Sequence, residues 1–423
     1  MSEQDADAIV VGAGPAGVAC AYRLARAGRS VILVERGTAP GSKNVSGGRL
    51  YTYALDLVEE GLTAQAPWER AVVREQLVLM DGERAMTVSL AGRESGSAGV
   101  PSSVTVLRAR FDDWFARRAE EAGALLAAGV TVDSLLVEDG RVVGIVADGE
   151  HMRAPVVVAA DGVTSGLARQ AGLVGPPSSR TVGVGAKRVI ELEPAVIEER
   201  FGVGPRDGVA TLMVGCTGGV HGGGFLYTNR ASLSLGVVAA PADLAPAGRT
   251  VHGLLAELAE HPSIAPLVAG GEIVEYSAHL VREDGLGGVP KRLTRDGFLV
   301  TGEAAGFVLN LGYTVRGMDL ALASGVAAAE AVLTGRDLET AYRTALATVL
   351  ATMRATDGYR DLLHLDRLYA TYPRMALDTA GSLFTVDGSV PRSVLRQVRD
   401  ATRACGVPMR SLLHDGLVAV RSA

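Results

Sequence analysis

Cysteine is scarce: Cys20, Cys216 and Cys405 stand far apart, with no Cys-x-x-Cys pair among them. Such a set builds neither a disulfide framework nor a cysteine-ligated metal or iron–sulfur centre within the chain, and a reducing compartment suits it. Long runs of Lys or Arg are also missing and the formal net charge is −6, which removes the electrostatic footprint of a nucleic-acid binder. No uncharged apolar stretch approaches the roughly 20 residues needed to span a bilayer. Asp5 and Asp7 lead directly into the first apolar run, so no basic, apolar, cleavable signal is expected. The expected setting is the cytoplasm, with contact to the inner face of the membrane left open. No cluster of His, Asp and Glu has metal-ligand spacing. Aromatics make up only 4% of residues, yet 48% are hydrophobic and 21% charged, the balance of a folded chain. At 423 residues it has room for two or three domains and a large core.

What the chain has in plenty is glycine, and placement matters more than number. Asp7-Ala8-Ile9-Val10-Val11 reads as a short buried parallel strand that runs into Gly12-Ala13-Gly14-Pro15-Ala16-Gly17, ahead of an Ala-rich helical stretch from Val18 to Arg26. In a strand–turn–helix unit the first Gly permits the turn, the second lets backbone N–H groups approach a pyrophosphate, and the third lets helix and strand pack closely. The helix N-terminus then favours the phosphate charge. Val31 to Glu35 supplies a second strand, and Glu35 at its end can accept both hydroxyls of an adenosine ribose. A lone Gly-x-Gly-x-x-Gly arises by chance. Strand, helix, second strand and terminal acid in register point to dinucleotide binding.

From Arg36 to Arg49 the chain is polar and Gly-rich. It reads either as a loop over the cofactor, with Arg36, Lys43 and Arg49 neutralising pyrophosphate, or as a solvated loop. Strand-like alternation near 75–107 precedes a helix expected from Phe111 to Ala122, with Asp112 and Asp113 in its first turn. Asp139-Gly140 then joins two strand-like runs as a hairpin. Val156 to Ala159 is another buried strand, ending in Ala160-Asp161-Gly162, and segments from about 176 to 290 are β-rich. Gly297 to Thr301 returns to the first pattern, with Gly302-Glu303-Ala304-Ala305-Gly306 at the strand end where ligands of open α/β sheets bind. Gly312 to Met318 leads into a small-residue helix, Leu320 to Leu333, able to aim N–H groups at an anionic ring oxygen of a cofactor. Residues 338–423 read as mostly helical. The expected α/β architecture is a glutathione-reductase-type Rossmann domain (1–75, 104–175 and 291–340), an inserted β-rich substrate or partner domain (76–103 and 176–290) and a helical C-terminal region (341–423).

Several segments carry a family resemblance. Gly41-Ser42-Lys43-Asn44-Val45-Ser46-Gly47-Gly48-Arg49-Leu50-Tyr51, Val106-Leu107-Arg108, Val196-Ile197-Glu198-Glu199-Arg200-Phe201, Gly222-Gly223-Gly224-Phe225-Leu226-Tyr227-Thr228-Asn229, Glu275-Tyr276-Ser277-Ala278-His279, Arg316-Gly317-Met318-Asp319-Leu320-Ala321 and Leu383-Phe384-Thr385-Val386-Asp387-Gly388 resemble FixC-like flavoproteins. These are relatives of electron-transfer-flavoprotein:quinone oxidoreductase and of the geranylgeranyl reductases. The resemblance implies non-covalent FAD, with Gly12, Gly14, Pro15, Ala16, Gly17 and Glu35 on its ADP half and Arg36, Lys43, Gly48, Arg49 and Arg108 around it. Ala160, Asp161, Gly162, Gly302 and Glu303 form the middle of the expected site, and Gly312, Arg316, Gly317 and Met318 would pass beside the isoalloxazine. Two positions depart from the family pattern: Glu303 stands for an Asp that accepts from the ribityl chain, and Arg282 for a Pro. The extra methylene of Glu303 moves its carboxylate by about one C–C bond, and both departures hint at a specialised substrate.

The implied function is an FAD oxidoreductase passing electrons between an electron-transfer flavoprotein, or another donor, and a quinone or a separate ferredoxin-like acceptor. A stand-alone FAD reductase, dehydrogenase or monooxygenase acting on a small molecule is the alternative enzyme; a non-catalytic flavin-binding scaffold is the alternative of another class. No second Gly-x-Gly-x-x-Gly domain is present for a nicotinamide cofactor. His221 and His279 are candidate proton carriers, although a lone His more often serves as a structural hydrogen-bonder. Tyr227 and Tyr313 could line the flavin's substrate face or simply pack. Cys216, without a partner Cys, reads as an inert thiol.

Overall fold

The computed structural model describes residues 4–42, 48–92, 100–176, 178–179, 181–388, 390 and 392–422. Lys43 lies outside them. Ala8–Val11 is buried along its length and pairs in parallel with Val31–Glu35 on one side and Val157–Ala159 on the other. Wholly apolar strands of this kind suit the middle of a parallel sheet that is covered on both faces. Leu125–Ala128 extends the sheet beyond Val31–Glu35, while Phe298–Val300 and then the short antiparallel Thr294–Arg295 extend it beyond Val157–Ala159. The chain thus changes sides of Ala8–Val11, which opens a crevice at the carboxyl ends of the strands. Gly12, Ala160 and Gly302 all stand at that edge.

Two helices close on this edge. Pro15–Arg26 begins at the Gly-rich turn, three residues before the helical stretch read from sequence, and Met318–Thr334 crosses it. The crossing is tight at Gly325, where a Cβ would lie 2.1 Å from the carbonyl oxygen of Ala16. Small residues at that point let the two helix starts converge on one crevice.

Arg108–Glu121 also starts three residues earlier than the sequence suggests, at Arg108 instead of Phe111. Asp112 is therefore not a first-turn residue facing the helix dipole. It sits one turn after Arg108 and accepts from two of its nitrogens, Nε at 2.9 Å and Nη2 at 2.7 Å. Val132–Glu138, Arg141–Ala147 and Glu150–Arg153 form a small antiparallel sheet. Asp139 (φ +47°) and Gly140 (φ +81°) turn its first hairpin with the positive φ pair of a type I′ turn.

A second sheet runs in the order Glu272–Arg282, Val182–Glu191, Ser232–Ala239, Gly222–Thr228, Asp207–Val214, Ala71–Asp81, Ser103–Val106, Gly48–Tyr51, with Arg84–Ala91 paired to Ala71–Asp81. Its outer face packs Ala186, Ile190, Leu226, Leu233 and Leu235 into a core of its own with Leu254 and Leu255 of the Val251–Glu260 helix. Side chains alternate across a strand, so Lys187, Tyr227 and Glu275 project from the opposite, inner face. Arg70 is fully buried at the start of this sheet and donates to the carbonyls of Asn229 (2.7 Å), Gly204 (2.9 Å) and Arg230 (3.0 Å). It ties two loops to one strand. Helices from Leu338–Ala345 to Met409–Ser422 make up the C-terminal part, and among the described residues no helix is long and apolar enough to cross a membrane.

Candidate active site

The three expected segments meet at the crevice. A Cβ on Gly12 (φ +104°) would lie 2.3 Å from the Ala160 carbonyl oxygen, and one on Gly302 would lie 2.7 Å from the Ala16 methyl. Backbone bonds hold the same edge: Ala160 N–H donates to Val11 (2.8 Å) and Thr301 N–H to Ala159 (2.9 Å). Ser165 Oγ donates to the Ala304 carbonyl at 3.0 Å.

The glycines of the turn divide by what surrounds them. At Gly17 a Cβ would meet the Gly12 carbonyl oxygen at 1.9 Å, whereas at Gly14 no protein atom lies within 4 Å. Gly17 is required by packing, and Gly14 by the space in front of the helix, where the first-turn N–H groups have no intrahelical partner. Glu35 receives Ala13 N–H at 3.0 Å and Gly37 N–H at 2.6 Å. Its carboxylate is locked under the turn with lone pairs to spare. Asp161 accepts Leu167 N–H at 3.0 Å through one oxygen and leaves the other buried without a partner. Burial raises its pKa, opposed by the nearby backbone N–H groups of Leu167, Asp161 itself and Gly166 and by Arg169.

Each cation described at the crevice, apart from the exposed Arg36, is aimed by an acid. Arg108 is gripped by Asp112. Arg316 is held by Asp319 (2.8 and 2.6 Å) and by the Tyr53 hydroxyl (2.9 Å). Arg49 is bound by Glu75 and Ser103, with its guanidinium 4.6 Å from the Tyr51 ring. A Cβ on Gly48 would come within 3.3 Å of Met318 Sδ, so that strand lies against the start of the Met318–Thr334 helix, which Gly317 caps. Gly312 (φ +78°) turns the chain beneath Leu363.

Glu303 accepts the backbone N–H of Arg282 at 3.1 Å. Burial raises its pKa, opposed by that bond and by the nearby charges of His279, Arg108 and Arg282. Pro at 282 could not make this bond, and an Asp carboxylate would fall short by one methylene. The two departures from the family pattern therefore answer each other. The Arg282 side chain turns away onto Asp284 (2.8 and 3.1 Å).

Beside Glu303 opens a cavity of about 420 Å³ between the Val182–Glu191 end of the second sheet and the C-terminal helices. Val182, Val238, Leu286, Leu309 and Leu363 give it apolar walls, and Glu283, Asn310 and His221 give it polar points. Of the four candidate acid–base residues only His221 lines it. His279 is on the inner face of the second sheet, where it acts on Glu303. Tyr227 is buried and stacked on Phe225 at 5.3 Å, and Tyr313 is 54% exposed with its ring against Tyr359. Cys216 is partly buried, and burial pushes its thiol up to about 12. Sequence reasoning missed Lys187, which is fully buried on the inner face near Arg108 and Glu275. Burial lowers its pKa to about 7, with Glu275 opposing and Arg108 adding to the shift.

Comparison with known proteins places this geometry. Residues 7–173 match the FAD dependent oxidoreductase family, and residues 359–423 the ETF-QO/FixC family C-terminal domain. Protein FixC of Salmonella typhi and that of Escherichia coli (strain K12) are each 42% identical to the chain, over 99% of both partners. This chain belongs to the FixC family. A second FixC-type relative, the probable electron transfer flavoprotein-quinone oxidoreductase YdiS of Escherichia coli (strain K12), is 41% identical over 99% of each chain. Among solved structures, a geranylgeranyl bacteriochlorophyll reductase-like protein from Thermoplasma acidophilum superposes with a TM-score of 0.71 at 19% identity, covering 94% of this chain and 95% of that one. The flavin-dependent brominase Bmp2 does so at 0.64 and 16%, covering 94% and 98%. These distant likenesses show the fold. The protein is an FAD-dependent oxidoreductase, and its residues suit that cofactor: open space ahead of a helix N-terminus, a locked acid under the turn, and an orphaned buried oxygen on Asp161.

Proposed function

We propose that this FixC-family oxidoreductase takes electrons from an electron-transfer flavoprotein and delivers them to a quinone held in the cavity beside Glu303. In this reading residues 1–75, 104–175 and 291–340 carry FAD, while 76–103 and 176–290 face the substrate and partner and 341–423 closes the cavity. Bound FAD supplies the redox chemistry, accepting and releasing one or two electrons. The N–H groups of Gly14, Ala16 and Gly17 hold its pyrophosphate, Glu35 the ribose, and Asp161 and Glu303 the ribityl side. Arg108, Arg49, Arg36 and Lys43 balance the phosphate charge, and Gly48, Arg316, Gly317 and Met318 flank the ring. The three scattered cysteines leave any iron–sulfur step to a separate ferredoxin-like protein.

The observation that carries this reading is the near full-length relationship to YdiS, together with a part-apolar cavity next to the 303–310 segment. A flat ring with two carbonyls suits such walls and polar points. The hydrogen bond from the Arg282 N–H to Glu303 weakens the argument for a specialised small substrate that each suggested alone. Anaerobic mixing of the FAD-loaded protein with a reduced electron-transfer flavoprotein, NADH or NADPH tests the reading. Flavin reduction by the flavoprotein alone is the expected result; reduction by NADPH and none by the flavoprotein would overturn it.

A further inference from the structure

The cavity contains titratable side chains for which FAD binding has no use. Glu283 follows the Glu272–Arg282 strand directly, and it is the cavity that its partly exposed side chain lines. Asn310 Nδ2 donates to its carboxyl at 3.0 Å. Among the described residues no guanidinium is paired with it; Arg282 is spent on Asp284 and the Gly288 carbonyl. Burial above all pushes its pKa up to about 7; the Asn310 bond opposes this, and Asp284 and Glu303 add to it. At neutral pH such a carboxyl is poised to give and retake a proton.

A second group stands at the open side. His221 Nδ1 lies 2.5 Å from Asp243 Oδ2, and Nε2 lies 3.2 Å from Asp366, whose side chain is 90% exposed. Each ring nitrogen thus faces an acid, and through the exposed Asp366 the Nε2 side faces solvent. Tyr369 stands between the two ends, with its ring 4.8 Å from His221 and its hydroxyl within the field of both Glu283 and Asp243. On the helical wall, burial, Arg360 and His221 itself hold His364 below its usual pKa, so it adds little charge at neutral pH, and Arg360 and Asp357 carry opposite charges.

We propose that Glu283 is the proton donor to a carbonyl oxygen of the acceptor bound in this cavity, and that His221, oriented by Asp243, returns protons to Glu283 from solvent. The proposal rests on the quinone reading above. Reducing a quinone to its quinol converts two C=O groups to C–OH and consumes two electrons and two protons. The electrons come from the enzyme's flavin chemistry. One hydrogen accompanies them from the reduced cofactor; the remaining proton leaves Glu283 as an O–H bond forms on the carbonyl oxygen it faces, leaving a carboxylate that is refilled through His221 from water. The cavity is large enough for water to span the two groups.

The test uses the full-length FAD-loaded protein with menadione as the probe. Glu283→Gln keeps the shape and a hydrogen-bond donor but has no proton to give. Menadione affinity, read by fluorescence quenching, is expected to stay within about twofold, while stopped-flow oxidation of the photoreduced protein by menadione slows by roughly a hundredfold. Oxidation by ferricenium, which takes no proton, should be unchanged. The wild-type rate with menadione should fall as pH rises through about 7, and that fall should vanish in the variant. His221→Ala should slow the same step and recover with added imidazole. Wild-type rates and an unchanged pH profile in Glu283→Gln would overturn this proposal alone. Failure of menadione to bind the wild-type protein would overturn the quinone reading and this proposal with it.

Discussion

The bond between the Arg282 N–H and Glu303 makes a sharp prediction about two positions 21 residues apart. Arg282→Ala keeps the N–H and removes only the guanidinium, which pairs with a largely buried Asp284. Arg282→Pro removes both, so the difference between the two variants isolates the N–H. A backbone donor to an enclosed carboxylate contributes about 1.5–3 kcal/mol, and more of the loss appears if the oxygen is left unsatisfied. Arg282→Pro should therefore be less stable than Arg282→Ala by at least about 2 kcal/mol, any strain from the Pro ring adding to the loss. Glu303→Asp withdraws the carboxylate by about 1.5 Å, one C–C bond, and breaks the same contact from the other side. In the Glu303→Asp background, Arg282→Pro should then cost little more than Arg282→Ala, and the pair should restore the combination of the family pattern. Urea unfolding of the four variants, with FAD retention read from released flavin fluorescence, measures the coupling. A coupling energy below about 0.5 kcal/mol, the range of independent sites, would refute the claim that the two departures are one change.

Other perturbations separate ligand space from packing. Gly14→Ala meets no protein atom within 4 Å and should change stability by less than about 0.5 kcal/mol while weakening FAD binding; Gly17→Ala, with its Cβ 1.9 Å from a carbonyl oxygen, should cost about 3 kcal/mol or more in the apoprotein. Urea unfolding of the apoproteins with FAD titration distinguishes them. Glu283 has a folded pKa near 7, above its ordinary 4.5, so the folded state holds the extra proton and stability falls as pH rises between those values. Glu283→Gln should match the wild type at pH near 4.5 and exceed it above pH 7, by up to roughly 3 kcal/mol, in thermal or urea unfolding across pH. Arg70→Lys keeps the charge but cannot reach the carbonyls of Asn229, Gly204 and Arg230 together, and should lower stability by about 3 kcal/mol with loss of order in the second sheet.

What could be read from sequence was what short stretches determine on their own. The 12–17 turn, Glu35 at a strand end and the 302–306 turn are each set by neighbours within a few residues, and the crevice assembles from them. The start of the Arg108–Glu121 helix escaped because Asp112-Asp113 looks like an acidic first turn, when Asp112 is spent on Arg108 four residues before it. Lys187 escaped for a different reason. Alternation along Val182–Glu191 marks two faces but does not say which one is inside, and only pairing with Glu272–Arg282, some 90 residues on, turns Lys187 toward Arg108. His221 looked like an isolated residue because its partner Asp243 and the cavity wall at Glu283 and Tyr369 come from three later segments. Glu303 and Arg282 show the same limit in its most consequential form. Read separately, two unusual residues suggested an unusual substrate; joined by one hydrogen bond, they become a local exchange of donor and acceptor that leaves the FAD crevice in place. Departures from a family pattern carry functional weight only when no partner elsewhere in the fold compensates for them, and here the compensating partner is a backbone N–H that a Pro would lack.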